Sequence, residues 1–101
     1  MPSTVGNDWA VYKIELTARA KRELDKIPAE SFKAVDEAIW KLRQDPRLYG
    51  TKKLKGPIHR VRVGRWRIIY AVFDKDKLVI IGKVAKRAEN TYDEVEGLFR
   101  G

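Results

Sequence analysis

In the stretch His59-Arg60-Val61-Arg62-Val63-Gly64-Arg65-Trp66-Arg67-Ile68-Ile69-Tyr70, arginine alternates with apolar residues on both sides of a glycine. Period-two alternation sends successive side chains to opposite faces of a strand. Val61, Val63, Trp66, Ile68 and Tyr70 then form an apolar back, and arginines crowd the front. Gly64-Arg65 suits a two-residue turn of the II′ kind, which takes glycine first. Such a turn sets Val63 opposite Trp66, Arg62 opposite Arg67, Val61 opposite Ile68 and Arg60 opposite Ile69. Arg60, Arg62 and Arg67 therefore share one face. Like charges directly opposite each other destabilise a strand pair by roughly 0.2–1 kcal/mol. A phosphate between Arg62 and Arg67 reverses that sign, because guanidinium groups take phosphate oxygens in bidentate fashion. The plain alternative is a solvated face neutralised by acids from elsewhere.

The charge distribution favours the anion. The 101 residues carry 22 Lys and Arg against 14 Asp and Glu, a net charge of +8. Between Asp45 and Asp74 there is no acid at all, while Arg47, Lys52, Lys53, Lys55, Arg60, Arg62, Arg65 and Arg67 all fall there. A surplus concentrated in one continuous segment marks a binding face, and its sign points to nucleic acid, an acidic protein or a membrane surface. There is no cysteine and a single histidine, so neither thiolate chemistry nor a His/Cys metal site is expected, and no cofactor is implied. No apolar run approaches the roughly 18–20 residues that span a bilayer. Met1 to Asp8 lacks the apolar core of a signal peptide, so a cytoplasmic location and no membrane partner are expected.

The length suits one domain over 1–101, with residues 1–8 as a mobile lead. Trp9 to Leu16 reads as a first strand, rich in Val11, Tyr12 and Ile14. Thr17 suits the N-cap of a helix over Ala18–Lys26, and Pro28 breaks it. A second helix follows from about Glu30 to Gln44, with Phe32, Val35, Ile39 and Leu42 as one apolar stripe. Tyr49 to Pro57 is a basic loop or short edge strand. After the hairpin come a turn at Asp74–Lys77, a mostly apolar central strand over Leu78–Ala85, and a short helix between Glu89 and Phe99. The expected architecture is α+β in the order β-α-α-β-β-β-α, two helices packed on a small twisted, mainly antiparallel sheet.

Two further residues have chemistry to offer. Arg87, just past the last strand, can reach the rim of the basic face, and Tyr92 brings a phenol able to stack on a base or move a proton. Equally plain readings are a surface strand cap and a core aromatic. His59 points by alternation to the apolar face with Val61, or sits frayed at the strand start. Trp9, Trp40 and Trp66 read as core or interface. Glu89, Asp93, Glu94 and Glu96 read as a solvated face of the tail helix.

Leu54-Lys55-Gly56, the Arg-x-Arg-x-Gly-x-x-Arg-Ile-Ile-Tyr element over residues 60–70, and Lys86-Arg87 with Tyr92, in this order, resemble the RelE branch of the RelE/ParE toxin superfamily. The resemblance implies the toxin of a type II toxin–antitoxin pair that cuts mRNA in the ribosomal A site, against 16S rRNA. In such enzymes the 2′-hydroxyl attacks the adjacent phosphate, leaving a 2′,3′-cyclic phosphate and a 5′-hydroxyl. Carried over by motif, the catalytic set is Arg60, Arg62, Arg67, Arg87 and Tyr92, with Lys52, Lys53, Lys55, Arg65 and Lys86 as further RNA-binding cations. Arg67 and Arg87 would hold the phosphate, Arg60 and Arg62 the backbone, and Tyr92 a base or a proton. The implied protein partner is an acidic RelB-like antitoxin. In the best-known RelE the hairpin pair are lysines; here both are arginine, which stays protonated. The base is then Tyr92, Lys86, Lys53 or Lys55, or charge stabilisation alone supplies the rate. Two other readings compete: a ParE-like toxin that poisons DNA gyrase without cutting RNA, and a basic RNA-binding module without catalysis.

Overall fold

The computed structural model describes residues 11–47 and 50–86. Seven elements follow one another: β1 Lys13–Leu16, α1 Ala18–Asp25, α2 Ala29–Gln44, β2 Thr51–Lys55, β3 Ile58–Val63, β4 Trp66–Phe73 and β5 Leu78–Lys86. The strands form one sheet in the order β1-β5-β4-β3-β2. β1 runs parallel to β5, and every other pair is antiparallel. The basic segment before the hairpin is thus an edge strand, and the first strand starts at Lys13 rather than Trp9. The expected tail helix lies outside the described residues. No helix among the described residues is long and apolar enough to cross a membrane.

Local chemistry sets the boundaries. Thr17 caps α1, its hydroxyl accepting from the Ala20 amide at 3.1 Å. Pro28 separates the helices and stands at the N-cap of α2. Both helices cover one face of the sheet. Ala20, Ile27, Val35, Ile39 and Leu42 meet Val61, Ile68, Tyr70, Val72, Val79, Ile81 and Val84 in the main core. Phe32 is not part of it and is 41% exposed. At 3.6 residues per turn it lies about 50° from the line through Val35, Ile39 and Leu42. Trp40 is turned still further and is 57% exposed, its ring under the Arg43 guanidinium at 4.7 Å. It is not a core residue, whereas Trp66 packs against the core. Trp9 lies outside the described residues.

Two departures from regular backbone matter for the site. Gly64 has φ +59° and Arg65 has no positive φ, the pattern of a II′ turn. A Cβ there would meet nothing within 4 Å, so glycine is required by the backbone angle rather than by space. On β5 the ladder slips: Ile69 pairs with Lys83, but Tyr70 pairs with Ile81, leaving Gly82 as the extra residue of a β-bulge. Beside this bulge β5 runs past the end of β1, and its backbone groups there are held by the α1 region. The Thr17 hydroxyl donates to the Gly82 carbonyl at 3.2 Å, and the Val84 amide donates to Glu23 Oε1 at 2.8 Å.

Candidate nucleic-acid interface

The hairpin has the register that the turn dictates: Val63–Trp66, Arg62–Arg67, Val61–Ile68 and Arg60–Ile69. Val61 and Ile68 lie in the core beneath the helices, so Arg60, Arg62 and Arg67 point from the other face. Following the pairings outward gives two rows on that face. One reads Lys52, Arg60, Ile69, Lys83 across β2, β3, β4 and β5; the other reads Arg62, Arg67, Ala85 across β3, β4 and β5. Neighbouring strands are about 4.8 Å apart, so these cations surround Ile69 within one small patch. Among the described strand residues the only acid on this face is Glu15, on the edge strand β1 and paired with Lys13 at 3.3 Å.

The cations differ in setting. Arg62 is exposed. Arg60 is half-buried; its Nη1 donates to the Gly50 carbonyl at 3.5 Å, and its buried Nε has no hydrogen-bond partner among the described residues. Arg67 is only 7% exposed. Ala85 stands opposite it, so no large side chain is placed beside the guanidinium on β5. Charges in such a dry setting act more strongly on an anion than the same charges in water.

The remaining expected residues divide. Lys52 joins the Arg60 row, and Lys55 reaches the same face because the β2–β3 register shifts after Lys53, setting it opposite Ile58. Lys53 pairs with His59 and Lys86 with Trp66, so both belong to the helix-covered side and are not brought to the arginines. Arg65 is exposed in the turn. Arg87 and Tyr92 lie outside the described residues. His59 turns inward as its parity requires and stacks on Tyr70, with ring centroids 5.6 Å apart. Its Nδ1 lies 2.8 Å from the Pro57 carbonyl, which identifies Nδ1 as the protonated nitrogen. Burial lowers its pKa. The Tyr70 hydroxyl donates to the Pro46 carbonyl at 2.6 Å, and burial pushes its pKa up to about 12. Both groups act in packing.

One cation of the patch is not marked by alternation. Counting from Val79 and Ile81, which face the core, Lys83 should also face the core. The bulge at Gly82 reverses the phase and delivers Lys83 beside Ile69 on the arginine face. The available signal was a glycine inside an apolar strand, a recurrent mark of a bulge.

Comparison with known proteins shows the family. Residues 14–91 match the family model of the ParE toxin of type II toxin–antitoxin systems. A relative, the candidate toxin RelE1 of Methanocaldococcus jannaschii, is 31% identical over 81 residues, covering 75% of this chain and 90% of that one. The chain belongs to the RelE/ParE family of type II toxins. Among solved structures, the RelBE2 toxin–antitoxin complex from Mycobacterium tuberculosis has a chain that matches with a TM-score of 0.69 and 29% identity, covering 82% of this toxin and 99% of that chain. The archaeal RelE–RelB complex from Pyrococcus horikoshii gives 0.70 and 25%, covering 79% and 99%. The relatives set the toxin on the RelE side of the family.

Proposed function

We propose that this toxin is an mRNA endoribonuclease acting in the ribosomal A site against 16S rRNA, its active surface the cationic sheet face. The observation that carries the reading is the convergence of Arg60, Arg62 and Arg67 on one patch whose nearest strand acid is Glu15 at the far edge. A cleaving phosphate passes through a phosphorane that carries extra negative charge. Preorganised cations stabilise that charge, and losing one such donor costs on the order of 10²–10³ in rate. The 2′-oxygen forms a bond to phosphorus as the 5′-oxygen leaves. Arg67 would hold the phosphoryl oxygens together with Arg87, and Arg60 and Arg62 would fix the backbone on either side. Tyr92 would stack on a base or relay a proton. Of the lysines that offer a base, Lys55 shares the cationic face, whereas Lys53 and Lys86 belong to the other.

A RelB-like acidic antitoxin is the natural protein partner, since the relatives from M. tuberculosis and P. horikoshii were crystallised with their antitoxins. It would cover the same face and compete with RNA in the cytoplasm. The match to a ParE model favours a second reading, gyrase poisoning without RNA cleavage. Controlled induction with mapping of mRNA ends separates the two. Wild type should arrest translation and leave cut transcripts, and Arg67→Ala and Arg87→Ala should not. DNA damage and filamentation with intact mRNA would establish the second reading instead.

A further inference from the structure

Lys83 is among the few charged residues that the structure buries among those described, at 5% exposure, and the reading above gives it no role. It stands opposite Ile69 on β5, in the row of Arg60 and one step diagonally from Arg67. Its place there is built. Without the Gly82 bulge its side chain would enter the helix-covered core, where Val84 now lies beside Ile68. The bulge is held from two sides, by Thr17 on the Gly82 carbonyl and by Glu23 on the Val84 amide. Glu23 is itself steadied by Arg19 at 3.2 Å.

We infer that Lys83 is a further cation of the phosphate-binding face, taking the RNA backbone on the β5 side of Arg67. The inference rests on the reading of this face as an RNA-backbone surface and deepens it. Arg60 and Lys83 flank Ile69 from β3 and β5, two strand spacings or about 10 Å apart. The bound backbone therefore crosses the strands from β2 towards β5, with Arg67 beneath its middle. Lysine suits the end of such a track, because a point charge with rotating donors tolerates several phosphate orientations.

The test uses the full-length toxin, Lys83→Met and Lys83→Arg. Binding to a fluorescent single-stranded oligouridine is titrated over a range of NaCl concentrations, and cleavage is followed on mRNA-programmed ribosomes. Losing one phosphate contact should flatten the log K against log salt slope of Lys83→Met by about 0.7. Cleavage by Lys83→Met should fall about 10- to 100-fold, the worth of a charged hydrogen bond. Lys83→Arg should restore both. Should Lys83→Met not fold, Lys83→Gln takes its place in the same titration. An unchanged slope in the neutral variant overturns the inference, as does a loss in Lys83→Arg equal to that in Lys83→Met. Wild type that binds oligouridine but never cuts mRNA refutes the nuclease reading alone, and the slope comparison still decides Lys83. Wild type that does not bind oligouridine refutes both.

Discussion

Replacing Glu23 by alanine should destabilise the toxin from a position that touches none of the arginines of the cationic face, Arg60, Arg62 and Arg67. Glu23 accepts the Val84 amide at 2.8 Å, on the stretch of β5 beyond the end of β1, where the ladder has no strand to pair with. Alanine leaves that amide without its acceptor, at a cost of about 1–3 kcal/mol. It also removes the Arg19 pair, worth about 0.3–0.5 kcal/mol at this exposure. The expected total is roughly 1.3–3.5 kcal/mol. At about 4–8 °C per kcal/mol for a chain of this size, the melting temperature should fall by about 5–28 °C. Glutamine keeps a carbonyl oxygen for the amide and should lose less than about 1 kcal/mol. Thermal unfolding followed by circular dichroism measures both, and hydrogen exchange at Val84 reports the site directly. If Glu23→Ala melts within about 2 °C of wild type, or if the two variants melt together, the bulge does not depend on this carboxylate and the reasoning is refuted.

Other expectations follow from the same geometry. Gly64→Val should cost about 1–2 kcal/mol, because φ +59° is strained for a side chain although nothing blocks it; equal denaturation midpoints would disprove this. His59 has a folded pKa below its ordinary 6.5, so the stability it contributes is full above pH 6.5 and declines as pH falls below it. In urea titrations between pH 7.5 and 5, His59→Gln should flatten that decline. The Asp74 carboxyl, held by Arg47 and then by the Tyr12 hydroxyl, titrates at about 2 rather than 3.8, so its contribution is present above pH 3.8 and is lost towards pH 2. Because the Asp74–Arg47 pair is solvent-exposed, Asp74→Asn should cost under about 1 kcal/mol at pH 7, and a loss of several kcal/mol would contradict that screening.

The hairpin was legible in the sequence because two independent signals agreed. Alternation assigned the faces, and Gly64 set the turn that fixes the register. The α1 boundary at Thr17 and the break at Pro28 were legible for the same reason, each marked by a residue with one strong backbone preference. Phe32 was misplaced, and Trp40 was left between core and interface, because apolar character does not reveal how far around the helix the sheet extends. Lys83 escaped notice because a single inserted residue inverts every facing after it, and parity counting assumes an unbroken ladder. The dryness of Arg67 was equally hidden, since its residue type suggests an exposed front.

β2 lies at the end of the sheet, and three of its five residues, Lys52, Lys53 and Lys55, are lysines. An outer strand with unsatisfied backbone groups is a template for pairing with another copy, and lysine is a common guard against it. The same charges thus oppose self-association at the edge and, on the function proposed above, also serve RNA. Under that reading, replacing all three with alanine would remove an RNA contact and a barrier to self-association together, so lost activity in that variant would have two causes. Size-exclusion chromatography of a glutamate-substituted β2 separates them, because glutamate repels RNA yet still keeps the edges of two copies apart.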